Sequence, residues 1–303
     1  MSSRVFLQEL GTTEDEIHRR IDVTTDPAYS TIVSTAHAVL SHLSTSPKAL
    51  EGMHLLSASV WALDDAARTA FTDFHGPGTT PAYSKVVEAL TNPPPDIVIV
   101  EIPDEKGQIR WGKVNSRTDD THRRHELYLN RELCDAVRMN CPTSLLSPGV
   151  SLRELAVYHS ALLHITISHE LMNVVLKCIF PTAVESQWCF EDWYFRFRLA
   201  AVVPKSALSI AHLVAETPTA TYALDEPALL KLIDSFNGSE AFKLDTINAP
   251  IFNIPDNMLC FSVAPEPPIH ESPGVSPAVK EAGDCFCTRP PVCYSRFSIC
   301  SLY

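Results

Sequence analysis

Three side chains in the stretch HITISHELMNVVL, residues 164–176, could do chemistry together: His169, Glu170 and Asn173. On an α-helix, residues four apart lie about 40° from each other around the axis and one turn apart along it, so one rigid element can hold two ligands on a single ion. Zinc hydrolases use this as H-E-x-x-H: the two histidines bind the metal, and the glutamate between them takes a proton from the metal-bound water as general base. Residues 169–173 read H-E-L-M-N. The first ligand, His169, and the base, Glu170, are in place, and Asn173 stands at the second ligand position. An amide oxygen is a poorer zinc partner than an imidazole nitrogen, so the pattern predicts weak metal binding or a different ion. A competing reading makes His169 a hydrogen-bonded core residue, because it lies along the line of Leu162, Ile165 and Leu176. A second His-Glu pair, His125-Glu126, sits in a strand-like setting.

The element that must position these groups is a long helix. Ser151 is a good N-cap with Glu154 at the capping-box position, the apolar run extends from Leu152 to Ile179, and Phe180-Pro181 ends it. The segment is long and apolar enough to suggest a membrane span, but His159, His164, His169, Glu170, Asn173 and Lys177 make it costly in lipid, so it reads as a buried helix. Before it, "DIVIVEI", "QIRWGKVNS" and "HELYLN" read as strands, with "PDEKGQ" as a hairpin turn between the first two, and "RELCDAVRMN" as a short helix. Residues 28–46 place Ile32, Val33, Ala36, Val39, Leu40 and Leu43 on one helical stripe. Further helices are expected from Pro47 to about Phe74, near 81–90, from about Glu185 to Val203, and over 226–236. From Pro255 the chain turns proline-rich, which predicts an extended linker. It leads to a tail whose Cys285, Cys287, Cys293 and Cys300 match no ordinary zinc spacing.

Composition narrows the function classes. The chain has 303 residues and is 45% hydrophobic, enough for a substantial core. Its net charge of -12, from 24 basic and 36 acidic side chains, argues against nucleic acid, whose affinity rests on clustered Lys and Arg. The N-terminus shows no secretory h-region, and acidic Glu9, Glu14 and Asp15 come early, so a cytoplasmic chain with no membrane partner is expected. His159, His164 and His169 recur every five residues and point in different directions, so they form no ligand row. "HGPGTT" lacks the lysine of a phosphate loop, and neither G-x-S-x-G nor G-x-G-x-x-G occurs.

The order of strands, "ELYLNRELCDAV", "HITISHELMNVVL", proline and "ESQWCFED" resembles a group of fungal zincin-type metallopeptidases with a long H-E-x-x-H helix followed by a glutamate-containing segment, commonly G-E-S-G-x-x-x-E. The resemblance covers about 97–203, a third of the chain. It implies zinc as cofactor, His169 as a ligand, Glu170 as base, and Glu191 or Glu185 as the third ligand, with Glu191 better placed by its distance from the motif. Val184 and Gln187 replace the glycines of G-E-S-G, and Asn173 replaces the second histidine.

The expected fold is therefore α+β, mainly helical, with a small antiparallel sheet packed against the long helix. Residues 1–92 form a helical N-terminal portion, 93–255 a zincin-like α+β domain, and 256–303 a disordered linker and tail. The expected function is a zinc-dependent hydrolase of peptides or proteins. A non-catalytic relative that keeps the fold as a binding or accessory protein stands beside it, and so does a helical interaction protein with no site.

Overall fold

The computed structural model describes residues 3–9, 19–103, 109–118, 123–139, 150–180, 190–205, 210–238, 242, 244 and 249–263. Two short strands, β1 (Val5–Gln8) and β2 (Arg20–Asp22), precede four helices: α1 (Ser30–Thr45), α2 (Pro47–Leu63), α3 (Asp65–His75) and α4 (Tyr83–Thr91). The predicted α1 stripe is the buried one: Ile32, Ala36, Val39 and Leu43 are fully inaccessible. Burial of each large apolar side chain of this kind contributes about 1.5–3 kcal/mol. The single helix expected from Pro47 to Phe74 is two helices. Asp64 adopts an extended backbone, and its side chain accepts from the N–H groups of Ala66 and Ala67, so it caps a new helix rather than continuing the old one.

The next elements are β3 (Asp96–Val100), β4 (Gly112–Thr118), β5 (Arg123–Asn130) and α5 (Arg131–Met139). The five strands form one mixed sheet in the order β2-β1-β3-β5-β4. β1, β3 and β5 run parallel, while β2 and β4 pair antiparallel on the two edges. The hairpin expected between "DIVIVEI" and "QIRWGKVNS" does not form, because β5 lies between these two strands. The sorting follows composition. "DIVIV" is a continuous apolar run suited to a central strand covered on both faces, and "GKVNSRT" is polar enough for an edge. Residues 1–92 thus supply two strands as well as helices, and β1 joins them to β3 through the register Val5 to Ile97.

The long helix α6 (Leu152–Ile179) forms as its sequence asks, with both hydrogen bonds of the Ser151–Glu154 capping box present. It is buried nearly all round, packed by α1, α4, α5 and the mixed sheet. By length and composition α6 could cross a membrane, and 78% of its most apolar window is buried within the protein.

The helix expected from Glu185 to Val203 is instead a five-residue helix, α7 (Phe190–Tyr194), and a strand, β6 (Arg198–Pro204). Arg196, at φ 67, turns the chain between them. β6 becomes the second strand of a four-stranded antiparallel sheet, β8-β7-β6-β9, with β7 (His212–Glu216), β8 (Thr221–Leu224) and β9 (Met258–Ser262). Helix-favouring Leu199, Ala200 and Ala201 are thereby recruited to a strand, since pairing on both sides outweighs a propensity difference of a few tenths of a kcal/mol per residue. Helix α8 (Glu226–Ser235) lies where it was expected and packs on α6. β9 falls within the stretch expected to be a linker, where Cys260 and its neighbours pair with β6. The described residues all belong to one unit, 1–266, and the four tail cysteines lie outside them.

Candidate functional site

Helix α6 presents two adjacent stripes to two different neighbours. One stripe carries Thr166, Glu170, Asn173 and Lys177 toward β4. Its approach is so close that a Cβ on Gly112 would stand 2.8 Å from Thr166 Cγ2 and 2.9 Å from Glu170 Cγ. Lys177 Nζ donates to the Val114 carbonyl at 3.0 Å. His169, rotated by about 100° from Glu170, faces α7 instead. There His169 Nδ1 donates to Glu191 Oε1 at 2.9 Å. With the carboxylate ionised it can only accept, and the ring then carries its proton on Nδ1.

Both acids are deep: Glu170 is 5% exposed and Glu191 1%. Burial of a carboxylate is costly unless it is hydrogen-bonded, and each has a donor from α6. For Glu191 it is His169. For Glu170 it is Asn173, whose Nδ2 donates to Oε2 at 3.2 Å. The residue at the expected second ligand position therefore donates a hydrogen bond to the expected base.

A five-residue helix has almost no stability of its own, so α7 is held by its side chains. Phe190, Tyr194, Phe195 and Phe197 are all buried. The Tyr194 hydroxyl lies 2.7 Å from His42 Nε2 on α1, and burial raises its pKa against a hydrogen bond from Ser46. Trp193 lies against Gly52 of α2, where a Cβ would come within 2.0 Å of the ring. These contacts carry Glu191 to His169.

The other histidines of α6 serve packing. His164 Nδ1 donates to the Ser160 carbonyl at 2.8 Å and its ring meets Phe236, while burial pushes its pKa down. Burial lowers His159 to about 4. Of the second His-Glu pair, Glu126 lies on the mixed sheet, where Arg20 donates to both carboxylate oxygens at 2.5 and 2.8 Å and Tyr128 donates to Oε2 at 3.0 Å. Glu126 thus belongs to a separate network.

Of the expected site residues, His169 meets Glu191 on the α7 side of α6 and Asn173 meets Glu170 on the β4 side, and Glu185 lies outside the described residues. A zinc site needs three or more protein ligands converging at about 2 Å. The described donor set does not fit that demand. It offers one imidazole, with Glu191 bonded to its Nδ1, and an asparagine whose amide nitrogen faces Glu170. Among the described residues no group of three or more His, Cys, Asp or Glu side chains could hold a metal ion. Gly112 and Gly52 belong to no motif, yet an isolated glycine inside a strand or helix pattern is itself a signal of close approach. No protein-family model matches the chain, and no curated protein or solved structure does either.

Proposed function

We propose that this chain is a zincin-like protein of the peptidase type whose metal motif is incomplete, and that as its sequence stands it binds polypeptide without cleaving it. The observation that carries this reading is the pair of contacts on α6: His169 to Glu191 at 2.9 Å, and Asn173 to Glu170 at 3.2 Å. The first joins the two residues that the resemblance makes metal ligands. The second places a hydrogen-bond donor where the remaining ligand belongs.

A polypeptide partner is supported by β4. Trp111 accepts from the Asn130 N–H, so odd-numbered residues of β4 bond to β5, and the backbone groups of Gly112 and Val114 point to the other edge. No described strand pairs with that edge, where the Val114 carbonyl accepts from Lys177 at 3.0 Å. Such an edge can take an extended segment as an added strand, beside Glu170 of α6.

The test is to measure retained zinc and peptidase activity in the purified chain and in Asn173→His. The expected result is no stoichiometric zinc in the parent and about one ion per chain in the variant, since the substitution supplies a second imidazole one turn from His169 and the bound ion would draw Glu191 from Nδ1 as third ligand. A variant that gains no zinc overturns the zincin-like reading. Stoichiometric zinc in the parent, with peptidase activity abolished by Glu170→Gln, makes the protein an active metallopeptidase instead.

A further inference from the structure

We propose that Gly52 is a positioning residue for this site: it receives the Trp193 ring, which sets α7 so that Glu191 holds His169 through Nδ1. The proposal rests on reading His169 as the working residue of the site, and it deepens that reading by giving Glu191 the role of an orienting partner. A histidine fixed by a carboxylate at one ring nitrogen has its tautomer and ring plane set for chemistry at the other. Here the fixed nitrogen is Nδ1.

The chain of contacts is steric at one end and polar at the other. A Cβ on Gly52 would lie 2.0, 2.3 and 2.7 Å from three ring carbons of Trp193, distances that no side chain tolerates without movement. The indole is rigid and its plane lies nearly parallel to that of Tyr194, at 20°. Displacement of Trp193 therefore acts on a five-residue helix with Glu191 only two positions away. Glu191 is 1% exposed and its Oε1 is at hydrogen-bond distance from one imidazole nitrogen, so a shift of about 1 Å breaks that geometry. On helix α2 a glycine is otherwise a disadvantage relative to alanine, which leaves the Trp193 contact as the physical reason for it.

The experiment uses the full chain, free of added metal and labelled with 15N. Long-range 1H–15N spectra report which ring nitrogen of His169 carries the proton, with His169→Gln identifying its signals. The parent is expected to show the Nδ1–H pattern, and Glu191→Ala to lose it. Gly52→Ala is expected to lose it as well, and Gly52→Ala combined with Trp193→Leu to regain it, because the smaller side chain makes room for the methyl group. Should Gly52→Ala fail to fold, Trp193→Ala decides: loss of the Nδ1–H pattern with helical circular dichroism retained supports the proposal. An unchanged His169 pattern in Glu191→Ala, in a folded Gly52→Ala or in Trp193→Ala overturns it, and so does a double variant that stays like Gly52→Ala. None of these readouts involves zinc or activity, so their failure leaves the Asn173→His test standing.

Discussion

His169 Nδ1 donates to Glu191 Oε1 at 2.9 Å across 22 positions of the chain, joining the middle of α6 to the short helix α7. The imidazole is partly accessible, at 17%, whereas the carboxylate is 1% exposed. The two partners are therefore unequal: loss of the histidine leaves a buried acid without this donor, and loss of the acid leaves a ring that water can still reach.

That asymmetry predicts the order of two variants. His169→Ala should destabilise the chain by about 1–3 kcal/mol, through loss of a hydrogen bond to a buried carboxyl group. Glu191→Gln keeps an acceptor and removes the charge, so its cost should be smaller. Urea unfolding of both variants checks the order, and an equal or reversed order would show that the pair is not what satisfies Glu191.

Gly112→Ala should destabilise by about 1–3 kcal/mol through overpacking, since the new methyl group stands 2.8 Å from Thr166 Cγ2 and 2.9 Å from Glu170 Cγ. Thr166→Ser deletes the nearer obstacle. The double variant should recover part of the loss, and a double-mutant cycle by urea unfolding measures the coupling. Strict additivity would rule out this contact as the cause.

Acid should weaken the fold through its buried histidines. Burial holds His42, His159, His164 and His212 below the ordinary value of 6.5, with His159 at about 4. Hydrogen bonds at Gly238 and Ser160 oppose this in part for His42 and His164, and Glu154 does so for His212. Each ring stays neutral in the folded chain where its unfolded counterpart takes a proton. The unfolded state thus binds more protons below about pH 6.5, and stability falls from there to the folded pKa, with up to about 3 kcal/mol from His159 alone. Urea midpoints at pH 7.5 and 5 should differ in that direction, and His159→Phe should flatten the dependence.

Tyr194→Phe keeps the ring and removes the hydroxyl that lies 2.7 Å from His42 Nε2. The expected loss is about 1 kcal/mol, that of one hydrogen bond. The decisive comparison is with His42→Phe/Tyr194→Phe, which replaces both partners by apolar rings and should cost less than the two single changes added together, as thermal or urea unfolding will show.

Much of the frame was legible because it is decided locally. The start of α6 is written in Ser151 and Glu154, whose side chains act within one turn, and the α1 stripe is written in the spacing of Ile32, Ala36, Val39 and Leu43. The His-Glu pair on α6 and the later acid Glu191 could be singled out for the same reason: one helix defines the angle between its own residues.

Tertiary structure decided what depends on partners far apart in the chain. Leu199–Val203 could be helix or strand, and pairing with β7 and β9 chose strand. "DIVIV" and "QIRWGKVNS" could close a hairpin, but β5 entered between them because β3 is covered on both faces and β4 tolerates an edge. Spacing alone could mark Glu191 as a partner for His169, but it could not say which ring nitrogen they would share. That choice rests on the placement of α7, which Trp193 on Gly52 and Tyr194 on His42 determine through packing between helices that the sequence lists without saying how they meet.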